Sequence, residues 1–171
     1  ALGPGKGGIR FHQNVNLDEV KALSTRMSLK AGLLNIPYGG GKGGICVDPK
    51  KLSQRELEAL SRGYVRGLYK YLGERIDIPA PDVNTNGQVM ARFLDEYMKL
   101  NGDRQDIGTF TGKPLVLGGS EGRDAATGFG LALTVRETAN MMGIDLDNAK
   151  IGLQGFGNVA SHTLKSLMEM G

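Results

Sequence analysis

Apolar residues repeat at three- and four-residue intervals in several stretches of the chain, a spacing that places side chains on one helical face. The first stretch follows Asn-Leu-Asp-Glu at 16–19, which resembles a capping box, and Pro37 is expected to end that helix. The second stretch follows another capping box, Ser-Gln-Arg-Glu at 53–56, and Gly73 is expected to terminate it. The two predicted apolar faces consist of Val20, Leu23, Met27, Ala31 and Leu34, and of Leu57, Leu60, Tyr64, Leu68 and Tyr71.

Three further helices and four short strands complete the pattern. The helices are expected over 89–98, over 125–142 with Gly143 at the end, and from the segment 155–160, which opens the helix, to about 170. Strands are predicted where short apolar runs occur, at residues 9–11, 45–47, 76–78 and 150–154. Loops are predicted for the glycine-rich segments 3–8 and 39–44 and for residues 108–123.

The alternation of strands with helices predicts an α/β fold. A boundary near 120–125 would separate two domains. The chain opens without an initiator Met and stops after the first helix of a predicted βαβ unit, so we expect it to be a fragment with a truncated second domain.

Composition narrows the function classes. Glycine accounts for 27 of 171 residues without a collagen period, and its clustering indicates backbone bent closely around ligands. The net charge is +3 and no run of five like charges occurs, which argues against nucleic-acid binding. Cys46 is the single cysteine, so an intrachain disulfide is excluded and a reducing, cytoplasmic location is expected. No apolar stretch has the length of a membrane span, and no signal peptide is recognisable.

The sequence Gly155-x-Gly157-x-x-Ala160 lies between the last predicted strand and the last predicted helix. This is the dinucleotide-binding fingerprint in its expected context, because the glycines permit a tight turn and close approach of a pyrophosphate. A simple tight turn between strand and helix is the alternative. The acidic residue that distinguishes NAD from NADP is expected about 20 residues further on, beyond residue 171.

Two lysines stand within glycine clusters, Lys6 in GPGKGG and Lys42 in GGGKGG. Flanking glycines let a ligand approach the ammonium group closely, although a solvated surface loop is the alternative for either one. A P-loop is excluded because Gly43, rather than Ser or Thr, follows Lys42. Lys30 borders an apolar helix face and could be a snorkelling lysine. Asp82 follows Pro81 and is either a turn former or an acid directed into a cleft.

Together these motifs resemble the glutamate dehydrogenase family, within the wider glutamate, leucine, phenylalanine and valine dehydrogenases, over essentially the whole chain. The resemblance is carried by GPGKGGIRFH (3–12), VKALSTRMSLKAGLLNIPYGGGKGGICVDP (20–49), DIPAPDVNTN (77–86), TGKPLVLGGSEGRDAATGFG (111–130) and LQGFGNVA (153–160). It implies a mixed-sheet substrate-binding and oligomerisation domain over 1–122. The start of a Rossmann-type dinucleotide-binding domain would follow over 123–171.

The implied reaction is the reversible oxidative deamination of L-glutamate to 2-oxoglutarate and ammonia, with hydride transfer to NAD or NADP. By the same resemblance, Lys42 is the catalytic lysine and Asp82 moves the proton to and from the amino nitrogen. Lys6 would pair with the side-chain carboxylate of the substrate and Lys30 with its α-carboxylate. The other implied contacts are Met27 and Arg123 to the substrate, and Thr127, Gly155, Gly157, Asn158 and Val159 to the cofactor; no metal is implied.

Lys6 favours glutamate over the apolar substrates of the sister enzymes, because relatives that bind leucine, valine or phenylalanine do not keep this lysine. A sister specificity and a non-catalytic subunit of the same fold remain alternatives. The resemblance also implies a homo-hexamer without nucleic-acid or membrane partners. Residues 1–171 alone are expected to be inactive, because half of the cofactor domain and a late substrate-binding serine would be missing.

Overall fold

The structure is a computed structural model that describes residues 2–102 and 106–170. The chain divides into two compact units, Ala1–Ser120 and Glu121–Gly171. The α/β class predicted from the alternating pattern is confirmed.

The first unit is built on a parallel sheet whose central strand is β1 (Gly5–Phe11). Along one edge of β1 lie β2 (Gly39–Gly40) and β3 (Gly43–Ile45). Gly5 pairs with Gly39 and Ile9 pairs with Gly43, so β2 and β3 share one register and form a single strand that is interrupted at residues 41–42. The strand β4 (Asp77–Pro81) follows the other edge of β1. Antiparallel pairing among the described residues is confined to an isolated bridge between Gly73 and Asp77.

The two glycine clusters were expected to be loops, and this expectation is wrong, because most of residues 5–8 and 39–44 are strand. The predicted strand 45–47 is shifted for the same reason and ends at Ile45. The strand at 76–78 is confirmed but continues through two prolines to Pro81. Glycine is used here because the backbones approach closely: a Cβ on Gly7 would overlap the carbonyl group of Gly41.

Gly7→Ala is therefore expected to destabilise the first unit by about 3 kcal/mol, because β1 would have to move away from its neighbour. The matched control is Gly67→Ala on the exposed surface of a helix. A Cβ there meets no atom within 4 Å, so this substitution should stabilise the protein, because alanine favours a helix over glycine. Thermal unfolding midpoints of the two variants measure the difference. A midpoint for Gly7→Ala equal to that of the control would contradict the close approach.

Three helices cover this sheet: α1 (Leu17–Leu33), α2 (Gln54–Leu68) and α3 (Gly87–Leu100). The capping box at Ser53 is confirmed in both of its hydrogen bonds. Pro37 does not itself end α1, which stops four residues earlier. The prediction for Gly73 is wrong because α2 passes into a 3₁₀ turn at Tyr69–Tyr71, and the φ of Gly73 is 155°, outside the usual capping conformation.

The core lies where α2 and α3 pack on the sheet, and the third helix, predicted at 89–98, provides half of its buried residues. The ring of Phe93 stacks on Tyr64 and meets Phe110 edge-on, with centroid distances of 5.3 and 5.7 Å. The predicted face of α2 packs against this core except for Tyr71, which is exposed. The predicted face of α1 is less buried, since only Ala31 is fully enclosed and Leu34 is exposed.

The second unit contains α4 (Arg123–Met142) and α5 (Asn158–Met170), which pack closely together. A Cβ on Gly128 of α4 would lie 2.8 Å from the backbone nitrogen of Thr163, and the Thr163 hydroxyl donates to the Gly128 carbonyl. Gly143 closes α4 with a φ of 67°, as predicted. The predicted strand at 150–154 is absent, because no strand among the described residues pairs with this segment.

Within residues 2–102 and 106–170, none of the helices combines the length and the apolar character that a membrane span requires.

Candidate active site

Lys42 and Asp82 come from opposite edges of the sheet and meet over its central strand. Lys42 lies at the interruption between β2 and β3, and Asp82 directly follows β4. The Nζ atom of Lys42 is 3.0 Å from Oδ2 of Asp82. Two outer strands lie about 9.6 Å apart, so their side chains can join only where the central strand has none. Gly8 provides this gap, since a Cβ there would lie 2.6 Å from the Cβ of Asp82.

The charges around Asp82 hold it in the ionised form. Its Oδ2 atom also accepts a hydrogen bond of 2.9 Å from Nε of Arg10, so two cations converge on one oxygen. Burial by itself would raise the pKa of the Asp82 carboxyl group. The hydrogen bonds and positive charges of Arg10 and Lys42 outweigh burial and lower the pKa below its usual value.

The turn that carries Asp82 is fastened to β1. Asn84 has a left-handed φ of 57°, and its Nδ2 donates to the carbonyl of Phe11 at 2.8 Å. The buried hydroxyl of Thr85 accepts from the backbone N–H of Asp82 and donates to the Ile9 carbonyl, both at 2.7 Å. These bonds fix the backbone of Asp82 relative to the central strand.

Lys6 lies on β1 toward the opposite end of the sheet from Arg10. Its ammonium group donates to the Ile78 carbonyl at 3.1 Å and to the Thr111 hydroxyl at 2.8 Å. The segment around Thr111 is joined to β4 because its backbone N–H donates to Pro79. Lys6 is thus a partly buried cation held by the same two strands that hold Lys42 and Asp82.

Lys30 and Met27 lie on α1, which is attached beside Lys42. Ser28 accepts a hydrogen bond from the N–H of Gly40, and Ser24 donates to the Gly40 carbonyl. Met27 is half-buried and the side chain of Lys30 is exposed. In the part of the chain that the structure describes, no ion pair joins Lys30 to the Lys42–Asp82 pair.

The candidate cofactor residues all lie in the second unit. Gly155 has a left-handed φ of 83°, and a Cβ on Gly155 or Gly157 would meet no protein atom within 4 Å. Packing therefore does not demand glycine at 157, whereas close approach of a ligand would. Asn158 and Val159 begin α5, whose first N–H groups favour an anion. Arg123 and Thr127 lie on the first turns of α4 and are exposed.

The arrangement in the first unit combines a buried lysine, an ionised aspartate and a second lysine on one side of a sheet. Such a set can bind a carboxylate substrate and transfer protons to and from it. Sequence reasoning did not single out the residues that fasten this set, which are Arg10, Glu19, Asn84, Thr85 and Thr111. The sequence signal that could have identified two of them is the pair Asn84 and Thr85, which directly follow Asp82 and Val83 in the segment DIPAPDVNTN (77–86).

Two models of known sequence families match the chain. The dimerisation domain of Glu/Leu/Phe/Val dehydrogenases matches residues 1–99, and the second domain, Glutamate/Leucine/Phenylalanine/Valine dehydrogenase, matches residues 118–171. The chain belongs to the Glu/Leu/Phe/Val dehydrogenase family.

Several members of this family are similar over the whole chain. The NAD-specific glutamate dehydrogenases of Peptoniphilus asaccharolyticus and Clostridioides difficile are 69% and 61% identical to it over 171 residues. Those residues cover 41% and 40% of the two relatives, so the chain spans about two fifths of their length.

Solved structures of family members show the same fold. The crystal structure of the Peptoniphilus enzyme matches 99% of this chain and 43% of its own with a TM-score of 0.89. The hetero-hexameric glutamate dehydrogenase of Thermus thermophilus, in a leucine-bound form, is 42% identical with a TM-score of 0.94. It matches 99% of this chain and 40% of its own.

Proposed function

We propose that this chain is part of an NAD-dependent glutamate dehydrogenase, which converts L-glutamate and water to 2-oxoglutarate and ammonia in a reversible reaction. The observation that carries the proposal is the Lys42–Asp82 pair at 3.0 Å, on one sheet with the partly buried cation Lys6. Support for NAD rather than NADP comes from relatives named as NAD-specific enzymes at 69% and 61% identity.

Lys42 and Asp82 are the proposed catalytic residues. Asp82 is ionised, so its carboxylate can accept a proton from the substrate ammonium group and return it in the reverse direction. Lys42 acts at the same position on the oxygen of the carbinolamine. In the reductive direction its ammonium group donates a proton as that oxygen leaves as water, and in the oxidative direction the neutral amine takes this proton back from the attacking water. The low exposure of its side chain, 8%, excludes competing solvent.

The substrate carboxylates are assigned to the remaining cations. Lys6 binds the distal carboxylate, and the charge at this position selects a dicarboxylate over an apolar amino acid. Lys30 binds the α-carboxylate, and Met27, one turn earlier on α1, contacts the substrate chain. Arg123 is proposed as a further substrate-binding residue because of the family resemblance.

Residues 1–122 are accordingly proposed as the substrate-binding and oligomerisation domain, and residues 123–171 as the beginning of the dinucleotide-binding domain. The open turn at Gly155 and Gly157 fits a pyrophosphate, with Asn158 and Val159 donating at the start of α5 and Thr127 contacting the cofactor from α4. A nicotinamide cofactor bound by these residues would supply the hydride acceptor for the oxidation at the substrate α-carbon.

The assembled protein is proposed to be a homo-hexamer in the cytoplasm. A related enzyme of Thermus thermophilus is described as hetero-hexameric, which supports a six-subunit assembly of this fold. The exposed free thiol of Cys46 fits a reducing compartment.

The full-length protein should oxidise reduced nicotinamide in the presence of 2-oxoglutarate and ammonia, faster with NADH than with NADPH. The loss of absorbance of the reduced cofactor measures this, and branched and aromatic 2-oxo acids serve as competing substrates. A preference for those oxo acids would assign the chain to the sister specificity. If the full-length protein turned over none of these oxo acids, the chain would be part of a non-catalytic subunit. Residues 1–171 alone should be inactive.

A further inference from the structure

Arg10 links the proposed proton acceptor to a helix at the edge of the site. It lies on β1 between two core residues, Ile9 and Phe11, with its side chain about one fifth exposed. Its Nε donates to Oδ2 of Asp82 at 2.9 Å, while its Nη1 donates to Oε1 of Glu19 in the first turn of α1. One guanidinium therefore connects the end of β4 with the start of α1.

Glu19 gives up a local interaction to make this contact. It is the third residue of α1. At the same position of α2, the Glu56 carboxylate accepts a hydrogen bond from the backbone N–H of its own N-cap, Ser53. At the start of α1 the N-cap side chain of Asn16 accepts from Glu19 N–H, but the Glu19 carboxylate pairs with Arg10. The predicted capping box is thus only half formed. A glutamate that pairs with an arginine of the neighbouring strand, and not with the N-cap of its own helix, points to a constraint beyond helix stability.

The two cations near Asp82 occupy the same oxygen. Both Arg10 Nε and Lys42 Nζ contact Oδ2, and no hydrogen bond to Oδ1 is formed within the described residues. A carboxylate whose first oxygen is held by two donors cannot rotate freely, so its second oxygen keeps a fixed direction.

Resting on the proposed function, we infer that Arg10 is a positioning residue for Asp82. Held in turn by Glu19, it fixes Oδ2 against Lys42 and presents Oδ1 to the substrate amino group as the atom that exchanges the proton. Arg10 itself touches neither substrate nor cofactor in this assignment.

Arg10 also affects when Asp82 is ionised. The charged groups facing Asp82 are Arg10 from β1, Lys42 from the interrupted edge strand and, through Arg10, Glu19 from α1. Burial raises the pKa of Asp82 and the two cations lower it, so loss of Arg10 must raise it. Because Asp82 has to be ionised to accept a proton from glutamate, the acidic limb of the rate profile would move to higher pH.

The experiment compares Arg10→Met, Arg10→Lys and Glu19→Gln in the full-length protein, with Arg55→Met as the control for loss of an exposed arginine. Arg10→Met should lower kcat for glutamate oxidation about 10²-fold with little change in KM, and should move the acidic limb upward. Arg10→Lys should return the acidic limb to its original pH but should not restore the full rate. An ammonium group supplies the positive charge but lacks the planar geometry with which the guanidinium contacts Asp82 and Glu19 together. Glu19→Gln should lower kcat without an upward shift, since it removes a negative charge.

A second readout does not depend on turnover. Infrared titration of protein labelled with ¹³C at the aspartate carboxyl groups, with Asp82→Asn as the subtraction standard, follows ionisation of Asp82 directly. The pKa of Asp82 should rise in Arg10→Met and return in Arg10→Lys. If the pKa of Asp82 shifts in this way but the wild-type protein does not turn over glutamate, the proposed function is refuted, whereas the electrostatic link between Arg10 and Asp82 is retained. Unshifted titration, or kinetics of Arg10→Met equal to those of Arg55→Met, would overturn the inference.

Discussion

Lys42→Ala is expected to reduce kcat of the full-length protein about 10³-fold or more, which is the contribution of a well-placed acid–base group. The reason is structural as well as chemical, because Lys42 is nearly enclosed and its ammonium group lies 3.0 Å from Asp82. Without it, the carbinolamine oxygen loses its proton donor, and among the described residues Arg10 is then the one cation that still pairs with the Asp82 carboxylate. Initial rates of NADH oxidation with 2-oxoglutarate and ammonia measure the effect.

Lys50→Ala is the matched control, since Lys50 is exposed eight residues later in the chain. Its rate should equal that of the wild type. A Lys42→Ala variant that binds glutamate and cofactor normally but turns over at the wild-type rate would remove Lys42 from the mechanism. Equal losses in both variants would indicate damage to the fold rather than to catalysis.

The fold could be predicted well wherever a short segment decides its own structure. The capping box at Ser53, the apolar face of α3 and the glycine that closes α4 depend on neighbours within a few residues, and the structure confirms all three. The glycine-rich strands could not be predicted in this way. They form because β1 pairs with residues 34 and 72 positions further along the chain, and local composition favours a loop.

The site residues also divide into those with a local sequence signal and those whose role depends on contacts with other segments. Lys6, Lys42 and Asp82 stand in unusual glycine or proline contexts, so the sequence alone marked them as candidates. Arg10 and Glu19 stand in ordinary contexts, and their role follows only from the ion pair between them and from the contact of Arg10 with Asp82, 72 positions further along the chain. Glu19 was even expected to complete a local cap, and a tertiary ion pair overrode that preference.

Lys6→Leu is expected to lower kcat/KM for glutamate about 10³-fold, the usual effect of removing one member of a desolvated charge pair. Two features of the structure support so large an effect. The ammonium group is partly buried, and its hydrogen bonds to the Ile78 carbonyl and the Thr111 hydroxyl hold it in one direction. In the variant, the distal carboxylate of glutamate would face an apolar side chain. An apolar substrate such as leucine has no charge at this position and is therefore less affected by the substitution.

The measurement is the ratio of kcat/KM for glutamate to that for leucine, in wild type, Lys6→Leu and the control Lys70→Leu, which changes an exposed lysine. The ratio should fall in Lys6→Leu through loss of glutamate activity, with any leucine activity retained or increased, and should stay unchanged in the control. An unchanged ratio in Lys6→Leu would mean that the distal carboxylate is bound elsewhere. A wild-type ratio already in favour of leucine would place the chain with the sister enzymes, because the charge at Lys6 would then carry no specificity.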